Sequence, residues 1–190
     1  MKDHISSVCQ KGFYQLYKLR QIRKYVDNKT LCTLVHAFVT SHLDYGNSMF
    51  FNLPDTQIKK LQRLQNSAAR LIHGRSKFES GKECLKTLHW LPVRERIHFK
   101  IGLLVYKQKM GILPSYLGDL LTGKNHPRTR SSNKDLLVTP KVRTERFWKR
   151  AFTYAAPAVW NTLPCDVKFA TSIDSFKMKL KTHLFKCAFY

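Results

Sequence analysis

Residues 59–72 read KKLQRLQNSAARLI, and the spacing of their leucines and alanines decides the fold class. Leu61, Leu64, Ala68 and Ile72, with Ile58 just upstream, recur every three or four positions, the repeat of an α-helix with one apolar face. Lys59, Arg63, Asn66 and Arg70 gather on the opposite side. The leucine side predicts a core wall, each large side chain contributing roughly 1.5–3 kcal/mol when fully buried. Ser67, Ala68 and Ala69 are small enough to let a neighbouring helix come close. The opposite stripe carries three cations one or two turns apart, a spacing that can follow phosphates. For one helix alone, such a stripe more simply reads as a solvated face.

Outward from this stretch, the same periodicity returns. Ile5, Val8, Gly12, Leu16, Leu19 and Ile22 mark a first helix, and Leu31, Leu34, Val35, Phe38, Val39 and Leu43 a second. Asp27 or Asn28 can cap the second helix, Gly46 can end it, Asp55 can cap the helix of residues 59–72, and Gly74 can terminate it. A short helix is expected near Cys84 to Leu88. Pro92 opens a longer helix with Ile97, Ile101, Leu104 and Val105 inward, and Pro114 restarts the chain after a kink. Beyond Thr122 the composition shifts. TGKNHPRTRSSNKD is a basic, turn-rich loop, LLVTPKVRTERFW holds one or two short strands, and AFTYAAPAVWNTLP, broken by Pro157 and Pro164, packs irregularly. Ser172 caps a last helix with Ile173, Phe176, Leu180, Leu184 and Ala188 on one face. The expected fold is mainly α: a helical bundle over residues 1–121, then a mixed, partly irregular segment over 122–190 that ends in a helix.

Charge narrows the function. Among 190 residues, 34 Lys and Arg stand against 12 Asp and Glu, a net charge of +22. A compact body so charged repels itself until a polyanion neutralises it. Nucleic acid is the leading partner. A membrane surface is not, because the bases run end to end instead of lining one amphipathic segment, and no apolar run is long enough to span a bilayer. With almost no acids between them, the cations of residues 59–72 lack i,i+4 partners, and Lys177, Lys181 and Lys186 repeat the pattern in the last helix. Arg128 and Arg130, in HPRTRSS, can capture phosphates when a basic loop orders on nucleic acid. Cys9, Cys32, Cys84, Cys165 and Cys187 are widely spaced and form no C-x-x-C pair, which fits neither a disulfide framework nor a zinc knuckle. MKDHISSVCQ has no apolar run of signal-peptide length. An intracellular setting is expected, cytosol or nucleus, with no secretion. Cys32 and His36 are four apart but have no second ligand pair, so a packed Cys and His are expected. Trp90 and Trp160 are expected to anchor the core. The eight glycines are scattered and form no phosphate loop, and no triad order can be defended.

Several stretches then resemble one family in order: LDYGNSMF, LQRLQNSAARLI, LHWLPVRERIHFK, LLVYK, LPSYLGDLL, AFTYAAPAVWNTLP and SFKMKLKTHLF. They are similar to the C-terminal portion of the reverse transcriptase of non-LTR retrotransposons of the chicken-repeat and jockey-like kind, over nearly the whole chain. The resemblance implies the thumb that grips the template–primer duplex, with Lys59 to Ile72 matching the thumb helix, plus the segment downstream. In that family an upstream palm carries the aspartate pair that holds two Mg²⁺ ions for nucleotide transfer. No two aspartates are adjacent here, and Asp44 stands apart, so the implied chain lacks the catalytic palm, has no catalytic residue or cofactor of its own, and is inactive alone. With a start at Met1, where the thumb would begin, the resemblance implies a truncated element copy or a predicted open reading frame. Two positions depart from the family's frequent SRLDYCN: His42 stands for a cation and Gly46 for a cysteine. The zinc knuckle that ends some relatives is not matched. The implied partners are RNA, an RNA–DNA or DNA duplex, and the catalytic palm of a full-length polymerase. A helical protein-interaction module, or an inert remnant, is the alternative.

Overall fold

The structure is a computed structural model that describes residues 1–123, 135–141 and 148–190. The fold is mainly α and ends in a helix. The helices are α1 (Lys2–Ile22), α2 (Asn28–Val35), α3 (Ser41–Asp44), α4 (Asp55–His73), α5 (Gly81–Thr87), α6 (Val93–Lys109), α7 (Ser115–Asp119), α8 (Phe152–Trp160), α9 (Cys165–Lys168) and α10 (Ile173–Phe189). The chain forms two compact units. The first comprises Met1–Asn47 and Leu53–Arg96, with Phe189; the second comprises Ser48–Asn52 and Ile97–Ala188, with Tyr190. The division falls inside α6, whereas the compositional break falls at residue 122.

In the first unit α1 lies against α4. Ile5, Val8, Leu16 and Leu19 are buried from one side, and Leu61, Leu64, Ala68, Ala69, Leu71 and Ile72 from the other. Gly12 permits this approach: a Cβ there would stand 2.4 Å from Leu64 Cδ2. The glutamines of α4 belong to the core as well. Gln65 donates from Nε2 to the Leu91 carbonyl at 2.9 Å, and Gln62 Oε1 accepts from the Val93 N–H at 2.9 Å. Gln62 Nε2 in turn donates to Gln65 Oε1 at 3.0 Å and Asn66 Oδ1 at 2.8 Å. This amide chain ties α4 to the 91–93 segment and satisfies groups that burial would otherwise penalise.

Asp27 caps α2, accepting from the N–H groups of Lys29 and Thr30. One π-helical turn, His36–Thr40, separates α2 from α3, closed by the Ser41 N–H on the His36 carbonyl. Gly46 follows α3 at φ +60°. Asp44 pairs with Arg96, Nε to Oδ1 at 2.8 Å and Nη2 to Oδ2, and accepts from Asn47 Nδ2. It is a structural anchor. Asp55 is the first residue of α4 and not its cap, because Pro54 occupies the capping position and offers no side-chain acceptor. Asp55 still suits the positive end of the helix and pairs with Arg94.

The second unit packs around Trp160 and Phe176, both wholly buried. Tyr106 stacks on Phe176 with centroids 4.1 Å apart, and Trp160 Nε1 donates to the Asp135 carbonyl at 2.9 Å. Gly102 lets Leu180 come close: a Cβ would lie 3.2 Å from Leu180 Cδ2. Ser172 caps α10 by accepting from the Ser175 N–H.

Two expectations give way here. AFTYAAPAVW is a nine-residue helix with Pro157 inside it. Proline removes one intrahelical bond, but burial of Ala155, Ala156, Val159 and Trp160 holds the turn, and the Asn161 N–H still reaches the Pro157 carbonyl. The described part of LLVTPKVRTERFW forms no strand. It makes one isolated bridge, Leu137 to Gly123. Asn161 occupies the place of a second strand, its side-chain amide accepting from Leu137 N–H and donating to Leu137 O, both at 2.9 Å.

Replacing Gly12 with Ala should destabilise the protein by about 1–3 kcal/mol through overpacking. The double variant Gly12→Ala/Leu64→Ala should lose less than the sum of the single changes, measured by urea unfolding. Glu95, half-buried in the first turn of α6, has its carboxyl pushed above the usual range by burial, with Arg94 opposing in part. A carboxyl raised in the folded state is a cost at neutral pH that disappears as the pH falls below the ordinary Glu range. Glu95→Gln should therefore raise the melting temperature at pH 7 and have a smaller effect at pH 4.

Candidate nucleic-acid interface

Along α4 the predicted basic stripe divides in two. Lys59 and Arg63 are exposed, whereas Asn66 and Arg70 are half-buried. Asn66 lies under the start of α5, its Cβ 2.6 Å from where a Cβ on Gly81 would fall, and it accepts from Gln62. It acts as a packing residue. Arg70 Nε donates to the Glu79 carbonyl at 2.8 Å and so holds the 75–80 loop against the helix.

Beyond Arg70, α4 ends on Gly74 at φ +66°, with the Arg75 N–H returning to the Arg70 carbonyl at 3.0 Å. The last carbonyls are capped by the residue that follows α1. Arg23 donates Nε to Leu71 O at 2.7 Å and Nη2 to Ile72 O at 3.1 Å. A Cβ at position 74 would stand 2.9 Å from Arg23 Nη2, so glycine serves both the backbone and the guanidinium.

Around this helix end lies a cleft of about 230 Å³ lined by Arg20, Arg23, Arg70, Arg75 and Lys77, with Ser67, Leu71 and Gly74. Five cations share it. The negative end of the α4 dipole, equivalent to about half a charge, draws cations there, and Glu79 pairs with Arg75 at 3.5 Å. Those two sources neutralise only a part of the five charges. Arg70 is a candidate from the sequence, whereas its neighbours in the cleft are not. Arg23 lies 48 residues from the carbonyl it binds, and no local pattern reports such a contact.

The α10 candidates belong to the second unit. Lys177 is half-buried and pairs with Asp174 at 3.0 Å, and Lys181 is exposed. Lys186 stands about 140° round the helix from Lys181, at 100° per residue, so the three lysines do not form one stripe. Arg128 and Arg130 lie outside the described residues.

The remaining residues singled out in the sequence have structural places. Trp90 and Trp160 are buried. His36 packs on Trp90 with ring centroids 4.8 Å apart, and burial pushes the Cys32 thiol above its usual range. Among the described residues no group of three or more His, Cys, Asp or Glu is placed to hold a metal ion, and no helix is long and apolar enough to cross a membrane. No family model, curated protein or solved structure matches this chain.

These environments predict an order of arginine reactivity. Phenylglyoxal should modify exposed Arg63 well before Arg23 and Arg96, which are held by carbonyls and a carboxylate, as read by peptide mass spectrometry. The reverse order would contradict the placement of these side chains.

Proposed function

We propose that the chain is an intracellular nucleic-acid-binding helical module, of the kind its sequence resembles: the thumb and downstream part of a non-LTR retrotransposon reverse transcriptase, working with a catalytic palm supplied by other sequence. Its work is to hold the backbone of an RNA, RNA–DNA or DNA duplex by charge. The observation that carries this reading is the excess of cations. Twelve acids cannot neutralise 34 bases, and in the first unit the surplus includes exposed Lys59 and Arg63 and the cleft at the end of α4. Lys59 and Arg63 are one turn apart, about 6 Å along the helix axis, close to the step between successive phosphates of a strand. Arg70 contributes through the cleft. On α10, Lys181 is better placed than Lys177, which already has Asp174.

Binding of a fluorescein-labelled RNA–DNA duplex, followed by anisotropy, should weaken as salt rises, by about 0.9 log unit of affinity per phosphate contact for each log unit of salt. The variant Lys59→Glu/Arg63→Glu keeps every core residue. It should lose about tenfold or more in affinity and show a shallower salt slope. Wild-type binding without salt dependence, or a variant that binds like wild type, would reject the reading.

A further inference from the structure

The outward face of α1 carries a feature that backbone gripping does not use. Phe13, Tyr14 and Tyr17 are 43%, 56% and 62% exposed, and Tyr25, just beyond the helix, is 76% exposed. Aromatic side chains are a large source of burial energy, and leaving three of them in water on one helix, with a fourth just past its end, forgoes it. Cations accompany them: Lys18 Nζ lies 4.6 Å from the Tyr14 ring centroid, and Lys24 Nζ 4.9 Å from that of Tyr25. Phe13 and Tyr17 are four apart, Tyr14 and Tyr17 three apart, so all three share one stretch of helix surface. Arg20 is three residues beyond Tyr17 and lines the arginine cleft. The rings and the cleft therefore adjoin on α1.

We infer that this face is a binding site for single-stranded nucleic acid, with bases stacking on Tyr14 and Tyr17 and the backbone running toward Arg20 and the cleft. The inference rests on the nucleic-acid reading above and deepens it. The rings favour a single strand because a duplex keeps its base faces stacked on each other, leaving none for a side chain to cover. An unpaired strand offers both a π-face at every base and a phosphate at every step, and interleaved aromatics and cations match that pair of features. The positive surroundings, Lys11, Lys18, Arg20 and Lys24, disfavour a basic partner and a second copy of this strongly basic chain.

The test compares a labelled 12-mer of uridylate, the same length of thymidylate and a 12-base-pair RNA–DNA duplex, using the full chain. In Tyr14→Ala/Tyr17→Ala, affinity for the single strands should fall about tenfold or more, the loss of at least one stacked base. The salt slope should stay as in wild type, and duplex affinity should change by less than about twofold. Tyr14→Phe/Tyr17→Phe should keep most of the binding, since stacking needs the ring and not the hydroxyl. Arg20→Ala/Arg75→Ala should lower the salt slope on the single strands. Uridylate bound more tightly than thymidylate would assign the face to RNA, and the reverse order to DNA; both support the site. Unchanged single-strand affinity in the double alanine variant would overturn this inference and leave duplex binding standing. So would loss of self-association by that variant with single-strand binding intact, which would assign the rings to contact between copies. A wild-type chain that binds neither strand nor duplex would overturn the proposed function itself.

Discussion

The close contact between α1 and α4, set by the absence of a side chain at Gly12, determines the form of the first unit. Leu64 fills the space a Cβ would take, so the two helices share one layer of buried leucines and alanines without a gap. Everything else on α4 is arranged around that contact. With its leucine face committed to α1, the helix turns Gln62 and Gln65 toward the 91–93 segment and Asn66 toward α5. Its last carbonyls are taken by Arg23. What remains free is an arc through Lys59 and Arg63. The wet side of this helix is narrower than its periodicity suggests, because polar residues on three of its edges have structural partners.

The sequence was most legible where local chemistry decides the outcome. Of the two candidate caps Asp27 and Asn28 it is Asp27 that caps α2, and Ser172 caps α10 as expected, because a short acceptor one residue ahead of a helix has few other uses. Gly74 was expected to end α4 and does, in a conformation that other residues adopt at a cost. Apolar period located the core faces of α1, α4 and α10, and the leucine and proline neighbours of Trp90 and Trp160 marked them as anchors. It failed where a distant group decides. Pro157 should break a helix by its own chemistry, yet burial of its neighbours overrides that. Gln62 and Gln65 look like surface residues until the 91–93 backbone gives them partners. The backbone of Leu137 makes strand-like hydrogen bonds, but its partner is one asparagine side chain and not a strand.

The candidate interface divides in the same way. Lys59 and Arg63 could be placed from their position on the wheel alone, since nothing far along the chain covers them. Asn66 and Arg70 share their face by angle but not by environment, because the 75–80 loop and α5 fold over that end of the helix. Arg20 and Arg23 became part of the site only when α1 packed on α4. The exposed rings of Phe13, Tyr14 and Tyr17 carried no signal in an apolar count, where aromatic residues register simply as core. Their meaning depends on exposure, which a single chain's periodicity does not report.

The arginine cleft also shows why hydrogen bonding and neutralisation are different matters. Arg23 and Arg70 each donate to backbone carbonyls, so their guanidinium groups are held in place at little cost in unsatisfied donors. A carbonyl carries only a partial charge, however, and the end of a helix amounts to about half of one. Glu79 supplies one further negative charge and shares it with Arg75. Arg20, Arg23, Arg70, Arg75 and Lys77 thus remain a net positive cluster in which Arg23 and Arg70 are already held in place. Assembling such a cluster costs folding free energy through repulsion between its members. A bound phosphate would relieve that repulsion and meet donors already oriented, so the electrostatic strain that weakens the free fold is the same quantity that favours an anionic partner.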